Sequence, residues 1–133
     1  MSARNAMQGM KWIRNERRLA IYLRDGLACV YCGDTVEDGA KLTLDHLKPN
    51  SRGGTNDTTN LVTCCHRCNS SRGNRNVREF TRSVANYLNH GIDAEAIERH
   101  VRNCARRVID TAEAKMLIAR RGGFVAALKG DTK

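Results

Sequence analysis

The sequence predicts an α+β chain in which a short, metal-stapled, strand-bearing centre lies between an N-terminal helix and a group of C-terminal helices. Three observations lead there. Apolar residues recur at helical spacing before residue 26 and again after residue 76. Between those limits the helical period vanishes, and Gly, Asn, Thr, Asp and Cys take over. Two C-x-x-C pairs, Cys29/Cys32 and Cys65/Cys68, stand near the two ends of that middle stretch. The 133 residues suit one domain spanning 1–133.

Residues 12–25 read as a helix, with Leu19, Tyr22 and Leu23 at helical spacing and Gly26 where a C-terminal cap belongs. Lys41–His46 reads as a short strand with Leu42 and Leu44 alternating. Pro49 and the stretch from Ser51 to Asp57 read as a loop, and Leu61–Thr63 as a second strand. From Val77 the helical period returns, with Val77, Phe80, Val84, Tyr87 and Leu88 on one face. Gly91 is expected to end that helix and Asp93 to cap the next. Ile97, Val101, Cys104 and Val108 form an apolar stripe opposite Arg99, Arg102 and Arg106. Asp110–Glu113 resembles a capping box that breaks the long helix, and Gly122-Gly123 stops its second part.

Aromatic residues make up only 5% of the chain, so a metal staple would support a core poor in large apolar side chains. No run of 18 apolar residues exists, which excludes a membrane-spanning helix. Met1–Met10 lacks the apolar stretch of a signal peptide, and the expected compartment is the cytoplasm, the host's if the chain is phage-encoded. The formal net charge is +9, and residues 41–76 set six Lys and Arg against two Asp. That balance suits a polyanionic partner, because each cation placed at a phosphate releases counterions. A merely soluble basic protein would carry the same charge. Oligomeric state is not legible.

Each C-x-x-C pair presents two thiolates from one tight turn, and four thiolates complete a tetrahedral zinc shell. Gly33 follows the first pair, where a knuckle needs a residue free to take positive φ. Disulfides fit poorly with the expected compartment, and a redox pair would not explain two motifs. Cys64 and His66 compete with the chosen ligands. The spacing of Cys65 repeats that of the first pair, which favours it over Cys64. Cys64 and Cys104 are expected in the core.

Asp45-His46 follows an apolar strand. The carboxylate suits a hard divalent cation, and the imidazole suits removal of a proton near neutral pH. Successive strand residues point to opposite faces, so the two share one site only if the strand bends or ends there. Asn60 is either a turn residue or a tie between the loop and the strand bearing His46. Asn69, after Cys68, can cap a helix or offer its amide oxygen to a cation. Arg72 and Arg75 come at helical returns and are candidate phosphate contacts.

In this order, Cys29-x-x-Cys32, Leu44-Asp45-His46, Ser51-Arg52-Gly53-Gly54, Asn60-Leu61-Val62 and Cys65-x-x-Cys68-Asn69, the chain resembles the HNH endonucleases, and most closely their zinc-containing members from bacteria and bacteriophages. The resemblance covers roughly residues 22–76 as the core and leaves 77–133 as a helical extension. It implies a ββα-metal finger that cleaves phosphodiester bonds of DNA, with double-stranded DNA the expected partner. His46 would be the general base, and Asn60 would orient it. Asp45 and Asn69 would hold one catalytic Mg²⁺ or Mn²⁺, with Ni²⁺ or Co²⁺ as further choices. The four cysteines would hold a separate structural zinc. Asn69 stands where the family more often has a final His, an H-N-N variant. Arg72, Arg75, Arg99, Arg102 and Arg106 are the expected nucleic-acid contacts. The rival reading is a zinc-stabilised nucleic-acid-binding module without catalysis.

Overall fold

The computed structural model describes residues 11–88 and 92–129. Helix α1 (Asn15–Arg24) buries Leu19, Ala20, Ile21 and Tyr22. It ends at Asp25, after which Gly26 takes φ +85°, the left-handed turn that glycine tolerates best. Residues 28–35 then fold back on themselves through a bridge between Ala28 and Thr35. Strand β1 (Leu42–His46) and strand β2 (Leu61–Cys65) form a two-stranded antiparallel ribbon. The second strand is two residues longer than its apolar triplet suggests. The connection runs through two short 3-10 turns, Asn50–Arg52 and Thr58–Asn60. Helix α2 (His66–Arg72) comes directly after β2 and packs on β1. Helices α3 (Val77–Leu88), α4 (Ala94–Arg106), α5 (Thr111–Arg121) and α6 (Phe124–Lys129) complete the chain. This is the small ββα core that the resemblance implies, with the flanking helices that the residue pattern predicts.

The ribbon sorts its side chains by alternation. Asp45 pairs with Val62 and Thr43 with Cys64, while His46 pairs with Leu61 and Leu44 with Thr63. Opposed residues of an antiparallel pair share a face. One face therefore carries Val62 and Cys64 into a cluster with Tyr31, Val77, Phe80, Val84 and Val101. The other carries Leu42, Leu44 and Leu61 against Ile13, Ile21 and Tyr22 of the N-terminal segment. A third cluster joins Leu19 and Ala20 of α1 to Ala114 of α5 and Ala127 of α6.

A buried ion pair fixes α1 to β2. Arg24 Nε meets Asp25 Oδ1 at 2.7 Å. The same guanidinium donates to the carbonyls of Thr58 and Leu61, and Asp25 Oδ2 accepts the Thr63 N–H at 2.8 Å. Every charge and polar group of that cluster is paired, which burial requires.

The C-terminal expectations hold at the caps and fail at two apolar positions. Asp93 accepts from the Ala96 N–H, and Asp110 from the Glu113 N–H, as N-cap residues do. Gly122 takes φ +90° at the end of α5. Val108 does not continue the stripe of α4: that helix ends at Arg106, and Val108 is 91% exposed. Tyr87 likewise faces solvent, where its ring lies near the Arg67 guanidinium. Gly91 lies outside the described residues. Among those residues, no helix is long and apolar enough to cross a membrane.

Candidate active site and metal centre

The four cysteines expected to bind zinc are brought together from two turns. Gly33, at φ +85°, closes the first by donating its N–H to the Cys29 carbonyl at 2.9 Å. Cys65 ends β2 and caps α2, its sulfur accepting the Cys68 N–H. The sulfurs of Cys29, Cys32, Cys65 and Cys68 all lie within 4.8 Å of one another, and Cys32 Sγ and Cys65 Sγ are 3.8 Å apart. A tetrahedral zinc bound at about 2.3 Å per thiolate sets its sulfurs about 3.8 Å apart, a spacing that Cys32 and Cys65 already have and that the cluster as a whole approaches.

The close approach of the four sulfurs shifts their thiols. Cys32 is lowered to about 7, first through its contact with Cys29. Cys65 also falls to about 7, its contact with Cys29 opposing the shift and those with Cys32 and Cys68 producing it. Lowered thiols are readier ligands. Cys64 is fully buried and turns its thiol to the Cys65 carbonyl, Cys104 is also buried, and His66 is exposed outside the cluster. That geometry selects Cys65 over its neighbours.

The end of β1 is gripped from α2. Arg72 Nη1 donates to Asp45 Oδ2 at 2.5 Å and to the His46 carbonyl at 3.0 Å, while Nη2 donates to the Leu47 carbonyl at 2.8 Å. The same Oδ2 accepts the Tyr31 hydroxyl at 2.7 Å. Burial pushes the Asp45 carboxyl up from its ordinary value, against the charge of Arg72 and the hydrogen bonds from Tyr31 and Arg72. Burial also pushes the Tyr31 hydroxyl well above its ordinary range, which keeps it a donor.

His46 leaves the opposite face of the strand. Its Nε2 lies 2.8 Å from Asn56 Oδ1, and its ring centroid lies 5.1 Å from that of Trp12. Trp12 is 42% exposed. The loop that carries Asn56 is tied by Asn60. The Asn60 side chain accepts the Lys48 N–H at 2.9 Å and donates to the carbonyls of Lys48 and Thr55 at 3.1 and 2.8 Å. Gly54 belongs to the same turn, and a Cβ there would collide with the backbone of Lys48 and Pro49. Asn69 donates its amide to the Leu44 carbonyl at 3.3 Å. Among the described residues, neither Asn69 Oδ1 nor Asp45 Oδ1 has a hydrogen-bond partner. Both are hard oxygen donors of the kind Mg²⁺ and Mn²⁺ accept.

The structure thus gathers Asp45 and Arg72 at one point and ties Asn69 to the backbone of Leu44, the residue before Asp45. It separates the side chains of Asp45 and His46, although β1 ends at His46 and Arg72 holds both residues. One of the expected arginine contacts is corrected. Arg72 does not reach the surface as a phosphate contact: it is 2% exposed, and its guanidinium is spent on Asp45, His46, Leu47 and the Arg75 carbonyl. Arg75 is half-buried, bonded to Ser83 Oγ and the Ser71 carbonyl and lying over Phe80. Arg99, Arg102 and Arg106 are exposed on α4, with Arg102 paired to Glu98 at 3.3 Å. Tyr31, Asn56 and Trp12 escape a reading of the sequence. Tyr31 has one signal, its place between two ligand cysteines.

Residues 29–85 match the HNH endonuclease family, from the first cysteine into α3. The chain is similar to the CRISPR-associated endonuclease Cas9 of Corynebacterium diphtheriae, 37% identical over 78 residues that cover 57% of this chain and 7% of that protein. It is also similar to the CRISPR-associated endonuclease Cas9 of Actinomyces naeslundii, 44% identical over 50 residues that cover 37% of this chain and 4% of that protein. The matched part is therefore a small fraction of these much longer relatives. Shared sequence, the ββα core and the four-cysteine cluster agree: an HNH-type endonuclease domain is present in this chain.

Proposed function

We propose that the chain is a metal-dependent HNH endonuclease that hydrolyses phosphodiester bonds of DNA, with His46 as general base and one divalent cation held by Asp45 and Asn69. The observation that supports this reading is the set of residues that surrounds the end of β1. Two hard oxygens without a hydrogen-bond partner among the described residues, Asp45 Oδ1 and Asn69 Oδ1, belong to residues held around the strand end that carries His46. With Asn56 Oδ1 accepting from Nε2–H, the His46 lone pair lies on Nδ1. There it takes the proton of a water as that water attacks phosphorus. The new P–O bond forms as the bond to the leaving oxygen breaks. When bound, the cation neutralises charge on the phosphate and the departing oxygen. Asn60 fixes the loop from which Asn56 reaches the imidazole. The net charge and the exposed Arg99, Arg102 and Arg106 support duplex DNA as partner.

A zinc-stapled binding module without cleavage is the second reading, favoured by the capture of Asp45 Oδ2 by Arg72 and Tyr31. Incubation with supercoiled plasmid, with and without Mg²⁺ or Mn²⁺, separates the two. The nuclease reading expects nicked or linear product only with metal, and its loss in His46→Ala. Intact plasmid under every divalent metal would leave the binding module.

A further inference from the structure

We infer that Tyr31 is a positioning residue for the cation-binding carboxylate, so that the zinc knuckle and the cleavage site share one side chain. The inference rests on the reading of Asp45 as a cation ligand. Tyr31 stands between Cys29 and Cys32, and its backbone is fixed on both sides. Val30 N–H donates to the Thr63 carbonyl at 3.0 Å, and Gly33 N–H closes onto Cys29. The ring is buried and meets Phe80 edge-on, with centroids 4.9 Å apart and planes at 75°. Held there, the ring directs its hydroxyl to Asp45 Oδ2.

A buried tyrosine hydroxyl needs an acceptor, and Phe would fill the same ring volume without that need. The acceptor here is the oxygen that Arg72 also binds. Two donors from two different elements therefore converge on Oδ2 and leave Oδ1 as the oxygen available to a cation. With Arg72 alone the carboxylate can pivot about its Cβ–Cγ bond and offer either oxygen. Tyr31 removes that freedom. Loss of the zinc staple would release the same hydroxyl, so cation affinity depends on the integrity of the knuckle.

The test is Mn²⁺ binding to the zinc-loaded chain, monitored by the electron paramagnetic resonance signal of free Mn²⁺, with zinc content measured on each sample. Tyr31→Phe should keep its zinc and bind Mn²⁺ roughly tenfold more weakly, the low end of the loss seen when a group bonded to a metal ligand is removed. In an Asp45→Ala background the same change should have no further effect. Wild-type affinity in Tyr31→Phe, with binding lost in Asp45→Ala, would overturn the role of Tyr31 and leave the ligand intact. Wild-type affinity in Asp45→Ala would instead overturn the reading of Asp45 itself. If Tyr31→Phe loses zinc, the wild type labelled at tyrosine Cζ carries the test. The Tyr31 signal should move during a Mg²⁺ titration while those of Tyr22 and Tyr87 stay, and a stationary Tyr31 signal would overturn the proposal.

Discussion

Arg72 and Asp45, 27 residues apart, meet at 2.5 Å beneath helix α2, and the same guanidinium holds the carbonyls of the next two residues, His46 and Leu47. The last turn of α2 thus sets the backbone and one side chain of the strand end at once. Removing one partner of a buried pair leaves the other charge uncompensated, at a cost of about 3–5 kcal/mol. Arg72→Ala should lower stability by about that amount, read from the urea midpoint of the zinc-loaded chain. Arg72→Lys keeps the charge but lacks the planar guanidinium that reaches four acceptors, and should lose less stability but still disturb Asp45. An Arg72→Ala chain as stable as wild type would show that this cluster does not hold the strand end.

The zinc site predicts a metal content and a pH sense. Purified protein should hold about one zinc per chain, and Cys32→Ser or Cys68→Ser should unfold much of residues 26–76. The sign comes from Cys32 and Cys65, whose thiols fall from 9 to about 7 in the fold. A lowered acid contributes stability that is complete above its unfolded value and lost as pH falls through its folded value. For these two thiols of the metal-free chain that window is roughly pH 7–9, while the raised Cys68 thiol acts in the opposite sense. Zinc competes with protons for the same thiolates, so acidification should release it and lower the melting temperature. A folded, reduced sample free of zinc would defeat the assignment.

Legibility in the sequence tracks the range of each interaction. Cys29, Cys32, Cys65 and Cys68 can be read because a tetrahedral ion imposes local spacing. Asp93 and Asp110 can be read because an N-cap acts within three residues. Asn60 is legible as a tie but not in its three bonds, two of which cross twelve residues. Arg72 is misplaced because helical spacing gives a face but not what covers it. Here β1 covers it, and a cation on a short helix becomes an internal brace. Val108 is misplaced because the period continues in the letters after the helix has stopped at Arg106. The Tyr31–Asp45 contact spans fourteen residues and has no periodic signature.

The exposed face of α4 predicts a salt effect. Arg99, Arg102 and Arg106 reach solvent, although Glu98 holds Arg102 and Asn103 accepts from Arg106. Each arginine that meets a phosphate adds about 0.9 to the slope of log affinity against log salt. Replacing all three with Gln should weaken binding to duplex DNA and flatten that slope by between about 1 and 3. An unchanged slope would make them an ordinary solvated helix face.

The hydrogen bond between His46 and Asn56 yields the most specific prediction about cleavage. His46→Ala should keep the fold and the zinc and lose at least the roughly 10²-fold typical of removing a general base. Asn56→Ala leaves Nε2–H without its acceptor and frees the ring to turn, so cleavage should fall between wild type and His46→Ala. Asn56→Asp is the sharper variant. A carboxylate there still accepts from Nε2–H but favours the imidazolium, which cannot take a proton from water. Cleavage by Asn56→Asp should therefore begin at higher pH than in wild type and approach it in alkaline buffer. Asn69→His tests the other side of the site, since imidazole suits Mn²⁺, Co²⁺ and Ni²⁺ better than Mg²⁺ and should move metal preference that way without moving the pH onset. The measurement is initial plasmid-nicking rate against pH for each variant at saturating Mn²⁺. Identical onsets for wild type and Asn56→Asp would mean that Asn56 does not set the protonation of the base, and that the loop tied by Asn60 serves the site in some other way.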